Sequence, residues 1–352
     1  MRVGIVGAGS IGLSTAADLL GRGHTITGLV DRDPDRVASL ERSGVIRLDG
    51  RLGSGEIGLP PMGDDPGMLE GSALVIVATT ADRHAEAAAS LASAIGDGAP
   101  VLLTTGFVAG ARCFAAAMRA RDASLHPRVL ELNTSPYLSY ADARGRTHVA
   151  IRKTWFQLSA ADRGALEGTA PLVEELYPQA ERTCHGVAAS LNNPNPVANA
   201  SSFLLNAGFA LREIAGEVEG RGAFSLADFG SAALDRLRDG LDEERIAVMR
   251  ALGSAGEAIT RAEFPRRAYG EGSRHPRVPR VGPTFQPRFF REDIPCGLAP
   301  VEALGESRGV ATPVTSAFIT LAEAVTGEPL RSTGEARARA AEALAALDEE
   351  ER

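Results

Sequence analysis

The chain has 352 residues, 44% of them hydrophobic and 23% charged, and a formal net charge of -8 at pH 7. That length exceeds one ordinary hydrophobic core and predicts two domains, while the acidic balance argues against a nucleic-acid partner unless a basic patch is segregated. No apolar stretch approaches 20 residues and no signal-peptide pattern precedes the first apolar run, so no membrane segment is expected; Cys113, Cys184 and Cys296 lack metal-ligand spacing and predict reduced thiols in a cytoplasmic, metal-free protein.

The N-terminus reads MRVGIVGAGSIGLSTAADLL. Val3 to Val6 is a buried-strand pattern and Ile11 to Leu20 has helical periodicity, so Gly7, Gly9 and Gly12 fall on a strand-to-helix turn. There Gly7 permits the tight turn, Gly9 admits a pyrophosphate to the backbone, and Gly12 lets helix and strand pack closely. Gly7, Ala8, Gly9, Ser10, Ile11 and Gly12 therefore form a candidate dinucleotide cradle at a helix N-terminus. A second strand, Ile26 to Val30, ends at Asp31, placed to accept from the adenosine ribose hydroxyls, which favours NAD. Arg32 is placed to pair with a 2′-phosphate, which leaves NADP open. Asp33 and Pro34 read as the cap and first turn of the next helix.

Further strands are predicted at Leu74 to Ala78, Val101 to Thr104, Val129 to Leu132 and His148 to Ile151, with helices from about His84 to Ile95 and over Ala115 to Arg119. This alternation predicts an α/β domain with a Rossmann-type, doubly wound parallel sheet over residues 1–185, and puts Thr79 and Thr80 at the strand ends near the nicotinamide half of the cofactor. Residues 186–352 read as a mainly α-helical domain, with patterns over Pro196 to Glu219, Leu226 to Ala251 and Thr312 to Thr326, and a terminal helix from Glu335. The stretch from Arg266 to Arg280 is rich in arginine, proline and glycine and reads as a solvated loop.

Two segments of the helical half are specific: SLNNPNPVANASSFLLNAG at 190–208 and PRFFREDIPCGLAPVEALGESRGVATPV at 287–314. Both resemble the octopine and nopaline (opine) dehydrogenases, and the glycine turn and the segment TSPY at 134–137 fit the same pattern. The resemblance implies NAD(P)H-dependent reductive condensation of an amino acid with a 2-oxo acid through an imine. It also implies a His and Asp pair, the His in an Asn-Pro-x-x-His-Pro arrangement and the acid in an Arg-aromatic-x-x-Glu-Asp run. Arg288, Phe289, Glu292 and Asp293 match the second pattern. In the first, Asn199 stands where the family has His, and Ala200 where it has Pro.

An amide donates and accepts hydrogen bonds but does not titrate, and loss of a general acid or base removes roughly 10²- to 10⁴-fold in rate. An imine nitrogen, more basic than a ketone oxygen, survives that loss best. The sequence thus points to an imine reductase of opine dehydrogenase type, with Asp293 holding an iminium, Asn199 orienting substrate or water, and Arg288 gripping a carboxylate through two parallel hydrogen bonds. An internal ion pair of Arg288 with Glu292 or Asp293 is an equal alternative to the substrate role, and both can hold at once; Tyr137 reads as either pocket or core. His185 lies close upstream of Asn199 without matching the family position. Asn195, Asn199, Ser202, Asn206 and Glu213 share one face of the predicted helix, either a cleft wall or its solvent side. Ketone reductases that rely on a lysine from the second domain are disfavoured, because Lys153 is the only lysine. The alternative is a catalytically silent dinucleotide-binding sensor or scaffold; a homodimer is left open.

Overall fold

The computed structural model describes residues 1–183, 187–219, 224–270 and 284–350. Cys184, His185 and most of the arginine-rich stretch (271–280) lie outside the described residues. The chain divides into two compact units, one of residues 1–106 and 111–182 and the other of 107–110 and 183–352. A single cut at 185 therefore misses the short segment Phe107–Gly110, which belongs to the helical unit.

The first unit has twelve strands: β1 (Arg2–Val6), β2 (Thr25–Val30), β3 (Val45–Gly50), β4 (Gly55–Gly58), β5 (Met62–Gly63), β6 (Leu74–Val77), β7 (Val101–Leu103), β8 (Val129–Leu132), β9 (Tyr137–Ala141), β10 (Arg146–Arg152), β11 (Phe156–Ala160) and β12 (Ala180–Arg182). Eight of them form a sheet in the order β12-β11-β8-β7-β6-β1-β2-β5. Every pairing in it is parallel except β11 with β8. Strand alternation sends side chains to both faces. Leu74, Ile76, Leu102 and Leu130 pack with Leu13, Leu19, Val173 and Leu176 on one side. Val75, Val77, Leu103 and Val129 pack with Leu91, Phe114 and Met118 on the other. Such double-sided burial is what central parallel strands require, and it explains their unbroken apolar runs. The strand order reverses between β1 and β6, where a doubly wound sheet holds its ligand.

The expectation that His148 to Ile151 extends this sheet is corrected. β10 lies in a separate four-stranded sheet, β4-β3-β10-β9. The cause is local: β9 and β10 are joined by a short turn in which Asp142 Oδ1 accepts from the amides of Arg144 and Arg146. So short a link makes an antiparallel hairpin, because a parallel crossover needs a dozen or more residues.

The second unit is helical around two cores. One is rich in phenylalanine (Phe203, Phe285, Phe289, Phe290 and Phe318). The other joins Val108 and Leu191 to Val248, Leu304 and Leu347, so the terminal helix, Gly334–Glu350, packs rather than frays. The predicted helix over 196–219 is interrupted. A π-helical turn at Pro196–Ala200 leads into Ser201–Leu205, Asn206 leaves helical geometry, and a separate helix covers Ala207–Ala215. A second π-helical turn, Ile294–Leu298, follows Asp293.

The two π-turns cross at Gly297. A Cβ there would lie 2.3 Å from Pro196 Cγ and 2.7 Å from Pro196 Cβ, so only glycine lets the segments approach this closely. Phe107–Gly110 sits beside the crossing: the Val108 amide donates to Cys296 O at 3.2 Å and the Ala109 amide to Ser190 Oγ at 3.3 Å. Phe107 and Ala109 have φ of 61° and 52°, a left-handed conformation costing roughly 1–2 kcal/mol per residue. Gly297→Ala is expected to destabilise the helical unit by about 1–3 kcal/mol, read as a lower urea midpoint; an unchanged midpoint refutes the close-approach account.

Candidate active site

The glycine turn follows β1 in the first unit. Gly7 has φ +97° and donates its amide to Val30 O at 2.7 Å. A Cβ on Gly12 would lie 1.7 Å from Gly7 O, whereas one on Gly9 would meet nothing within 4 Å. Gly12 thus serves packing, and Gly9 leaves open space at the N-terminus of helix Ser10–Gly21, which has no side-chain cap and no acid in its first turn. Free amides at an uncapped helix N-terminus beside open space suit a pyrophosphate. The Ser10 hydroxyl accepts the Ala141 amide.

Asp31 closes the turn. Its Oδ2 accepts the Ala8 amide at 2.7 Å and its Oδ1 the Asp33 amide at 3.0 Å, and a carboxylate keeps lone pairs to spare for ribose hydroxyls. Gly7, Asp31, Arg32 and Thr79 line one cavity of about 160 Å³, with Pro66, Ala87 and Leu91 as its apolar wall. Thr79 Oγ1 is buried there with no partner among the described residues. Arg32 is engaged by Glu86, which also lies 3.7 Å from Arg83. Sequence reasoning missed Arg83, Glu86 and the apolar wall, which carry no motif. The residues present fit a dinucleotide.

In the helical unit, the first π-turn carries Asn199 and the second follows Asp293. Asp293 is fully buried. Burial, reinforced by the neighbouring Glu292, pushes its carboxyl well above the usual carboxylate range; Arg288 and Asn199 oppose that shift. Asn199 therefore approaches closely enough to favour the charged form, yet neither Asp293 oxygen has a partner of ordinary hydrogen-bond geometry among the described residues. The carboxyl expected to face substrate lies instead in the interior of the unit, where burial raises its pKa. Arg288 donates to Gln286 Oε1 at 2.8 Å and Glu292 Oε2 at 3.3 Å and lies over the Phe289 ring, so the internal ion pair expected from the sequence is present, made with Glu292.

A cavity of about 350 Å³ opens in this unit, and of Asn199, Asp293 and Arg288 only Asn199 lines it. Its wall includes Asn193, Val197, Ser202, Arg238, Asp242, Arg245, Ile259, Arg261, Phe264 and Tyr269. Sequence reasoning missed Arg238 and Arg245 because LDRLRDGLDEER looks like a solvated helix face. The supposed polar stripe also divides: Ser202 reaches the cavity wall, while Glu213 is buried and accepts the amides of Thr284 and Phe285 at 2.8 and 2.9 Å. Tyr137 belongs to the core of the first unit, where its hydroxyl donates to Asp18 at 2.7 Å. Lys153 is buried in that same unit, burial lowering its pKa to about 7. The described histidines, 24, 84, 126 and 148, all lie in the first unit.

Comparison with known proteins gives two family matches. Residues 183–326 match the NAD/NADP octopine/nopaline dehydrogenase, alpha-helical domain, and residues 3–106 match ketopantoate reductase PanE/ApbA. The opine dehydrogenase of Arthrobacter sp. (strain 1C) is 26% identical, over 94% of this chain and 92% of that protein. The fold is similar to that of an octopine dehydrogenase in complex with NADH and agmatine (TM-score 0.68, 16% identity, 97% of this chain and 95% of that one). It is equally similar to an NADP+-bound yersinopine dehydrogenase (TM-score 0.68, 13% identity, 99% of both chains). Among the described residues no helix is long and apolar enough to cross a membrane, and no cluster of His, Cys, Asp or Glu could hold a metal ion.

The raised Asp293 carboxyl sets a pH dependence. An unfolded Asp ionises near about pH 4, and the buried one only at higher pH. Between those values the unfolded chain binds fewer protons, so stability falls as pH rises. Asp293→Asn removes that slope, and its Tm relative to the parent is expected to be higher at about pH 8 than at about pH 4. Parallel Tm curves across this range would show that burial does not perturb Asp293.

Proposed function

We propose, for a chain whose helical unit belongs to the octopine/nopaline dehydrogenase family, that it is an NAD(P)H-dependent oxidoreductase of opine dehydrogenase type. It reduces a carbon–nitrogen double bond, preformed or made from an amino acid and a 2-oxo acid, to a secondary amine. The observation that carries this reading is the cavity-lining Asn199 backed by the buried acid Asp293, in the sequence frame where the family has its His and Asp.

The bound dinucleotide supplies the hydride. In the first unit Gly7 to Gly12 receive its pyrophosphate, Asp31 its ribose, and Thr79 offers an unpartnered hydroxyl in the same cavity. In the second, Asn199 orients the imine or a water by donating and accepting hydrogen bonds. Asp293 acts through Asn199, as a positioning residue. Neither residue replaces the proton exchange of a histidine, so the substrate that suits this site is an imine already basic enough to take its proton from water. A preformed linear or cyclic imine is therefore preferred over condensation of the two halves. Nothing in the site favours a silent dinucleotide binder. We place the enzyme in the cytoplasm, on the thiol reading above, as a homodimer for which Leu321 and Val325, exposed on helix Pro313–Thr326, offer an apolar face.

The test is NAD(P)H oxidation with a panel of imines and of amine plus 2-oxo acid pairs. Imines are expected to turn over faster, and Asn199→His to raise condensation by about 10²- to 10⁴-fold. If the variant leaves imine reduction unchanged and gains no condensation, the role of Asn199 is wrong; tight cofactor binding with no turnover by the parent points to the silent binder. Asp31→Ala is expected to weaken NADH binding more than NADPH binding, and equal losses in fluorescence titrations overturn the ribose assignment.

A further inference from the structure

The helical unit's cavity is lined by Arg238, Arg245 and Arg261 against one carboxylate among the described residues, Asp242. Two of the three cations are already satisfied. Arg245 gives Nε and Nη2 to Asp242 and its other donors to Leu191 O, Asn192 Oδ1 and Ile259 O. Arg261 pairs with Asp239 at 2.5 Å and Asp235 at 3.2 Å.

Arg238 differs. Neutral oxygens fix one side of its fork: Nε donates to Ser201 Oγ at 3.2 Å, and Nη2 to Ala198 O at 3.0 Å and Ser202 Oγ at 2.7 Å. The other side, Nη1, has Asp235 at 3.7 Å, a carboxylate 56% exposed and shared with Arg261. Burial holds the guanidinium below its ordinary pKa, as expected of a cation short of counter-charge. A second donor lines the same cavity. Asn193 is 3% exposed, its Oδ1 accepts the Asn195 amide, and its Nδ2 has no acceptor among the described residues. A buried donor left without an acceptor is unfavourable unless a ligand completes it.

We propose that Arg238 and Asn193 anchor the carboxylate of a small ligand whose apolar body lies against Val197, Leu226, Ile259 and Phe264. The volume, about 350 Å³, falls in the range of small-molecule sites, and the surplus of positive charge disfavours a second cation on that body. The site stands on its own geometry; only the carboxylate's source, amino acid or 2-oxo acid, rests on the function proposed above.

Binding is tested without turnover, by thermal shift of the full chain with 4-methylpentanoate and with its uncharged amide. The acid, and not the amide, is expected to raise the Tm of the parent. Arg238→Met is expected to weaken acid binding by about 10- to 100-fold, Arg238→Lys to restore part of it, and Asn193→Asp, which adds a like charge while leaving the Arg238 partners in place, to abolish it. Equal shifts in parent and variants, equal shifts with acid and amide, or no shift in the parent at tens of millimolar each overturn the proposal. In kinetics, a KM rise of that size for the amino acid or for the 2-oxo acid, with kcat little changed, identifies the source; no rise in either overturns the anchor. Failure of the oxidoreductase reading shows separately, as absent NAD(P)H oxidation with carboxylate binding intact.

Discussion

Pro196 and Gly297 meet at a distance that leaves no room for a side chain on the second residue, and the chemistry of the helical unit hangs from that contact. Each belongs to a π-helical turn, a widening seen chiefly at functional positions. The first turn carries Asn199 and the second begins immediately after Asp293, so the close crossing is what brings an amide to a carboxyl some ninety residues away in sequence. In the first turn Ala198 O accepts from the Ser201 amide, from the Ser201 and Ser202 hydroxyls and from Arg238. The long helix Ala232–Ala251 is thereby tied to the turn it faces, and the cavity acquires its cation.

The buried acid follows from the same packing. Asp293 has lost water without gaining an ion pair of its own, because Arg288 is engaged with Glu292 and Gln286. Such surroundings raise the pKa of a carboxyl. Full burial suits a residue that orients an amide and does not suit an exposed counter-ion to an iminium. The acid is kept in the interior behind Asn199, and arginines line the cavity wall.

The sequence was most legible where local geometry leaves few choices. Gly7 and Gly12 are dictated by a positive φ and a 1.7 Å approach, Asp33 and Pro34 by helix capping, and the central strands by burial on both faces. The segments 190–208 and 287–314 carry the family resemblance, and they also carry the crossing with Asn199 and Asp293. Less legible were the hairpin that diverts β10 into a second sheet, set by a short turn, and the break at Asn206 inside a pattern that reads as one continuous helix. Arg238 was not legible at all: its periodicity is that of a solvated face, and only packing against the π-turn distinguishes it from its neighbours.

By itself, then, the sequence determined the glycine turn and the doubly wound sheet, since each is written in short-range spacing that backbone sterics and periodic burial enforce, while the resemblance of the helical half rests on its two motif segments. The tertiary structure alone decided that Asp293 is a fully buried carboxyl with a raised pKa, that Arg288 is paired with Glu292, that Tyr137 is core, and that Arg238 faces the cavity with neutral oxygens on one side of its fork. The reason is that desolvation and charge compensation depend on which side chains from distant segments surround a group, and linear order does not encode that environment.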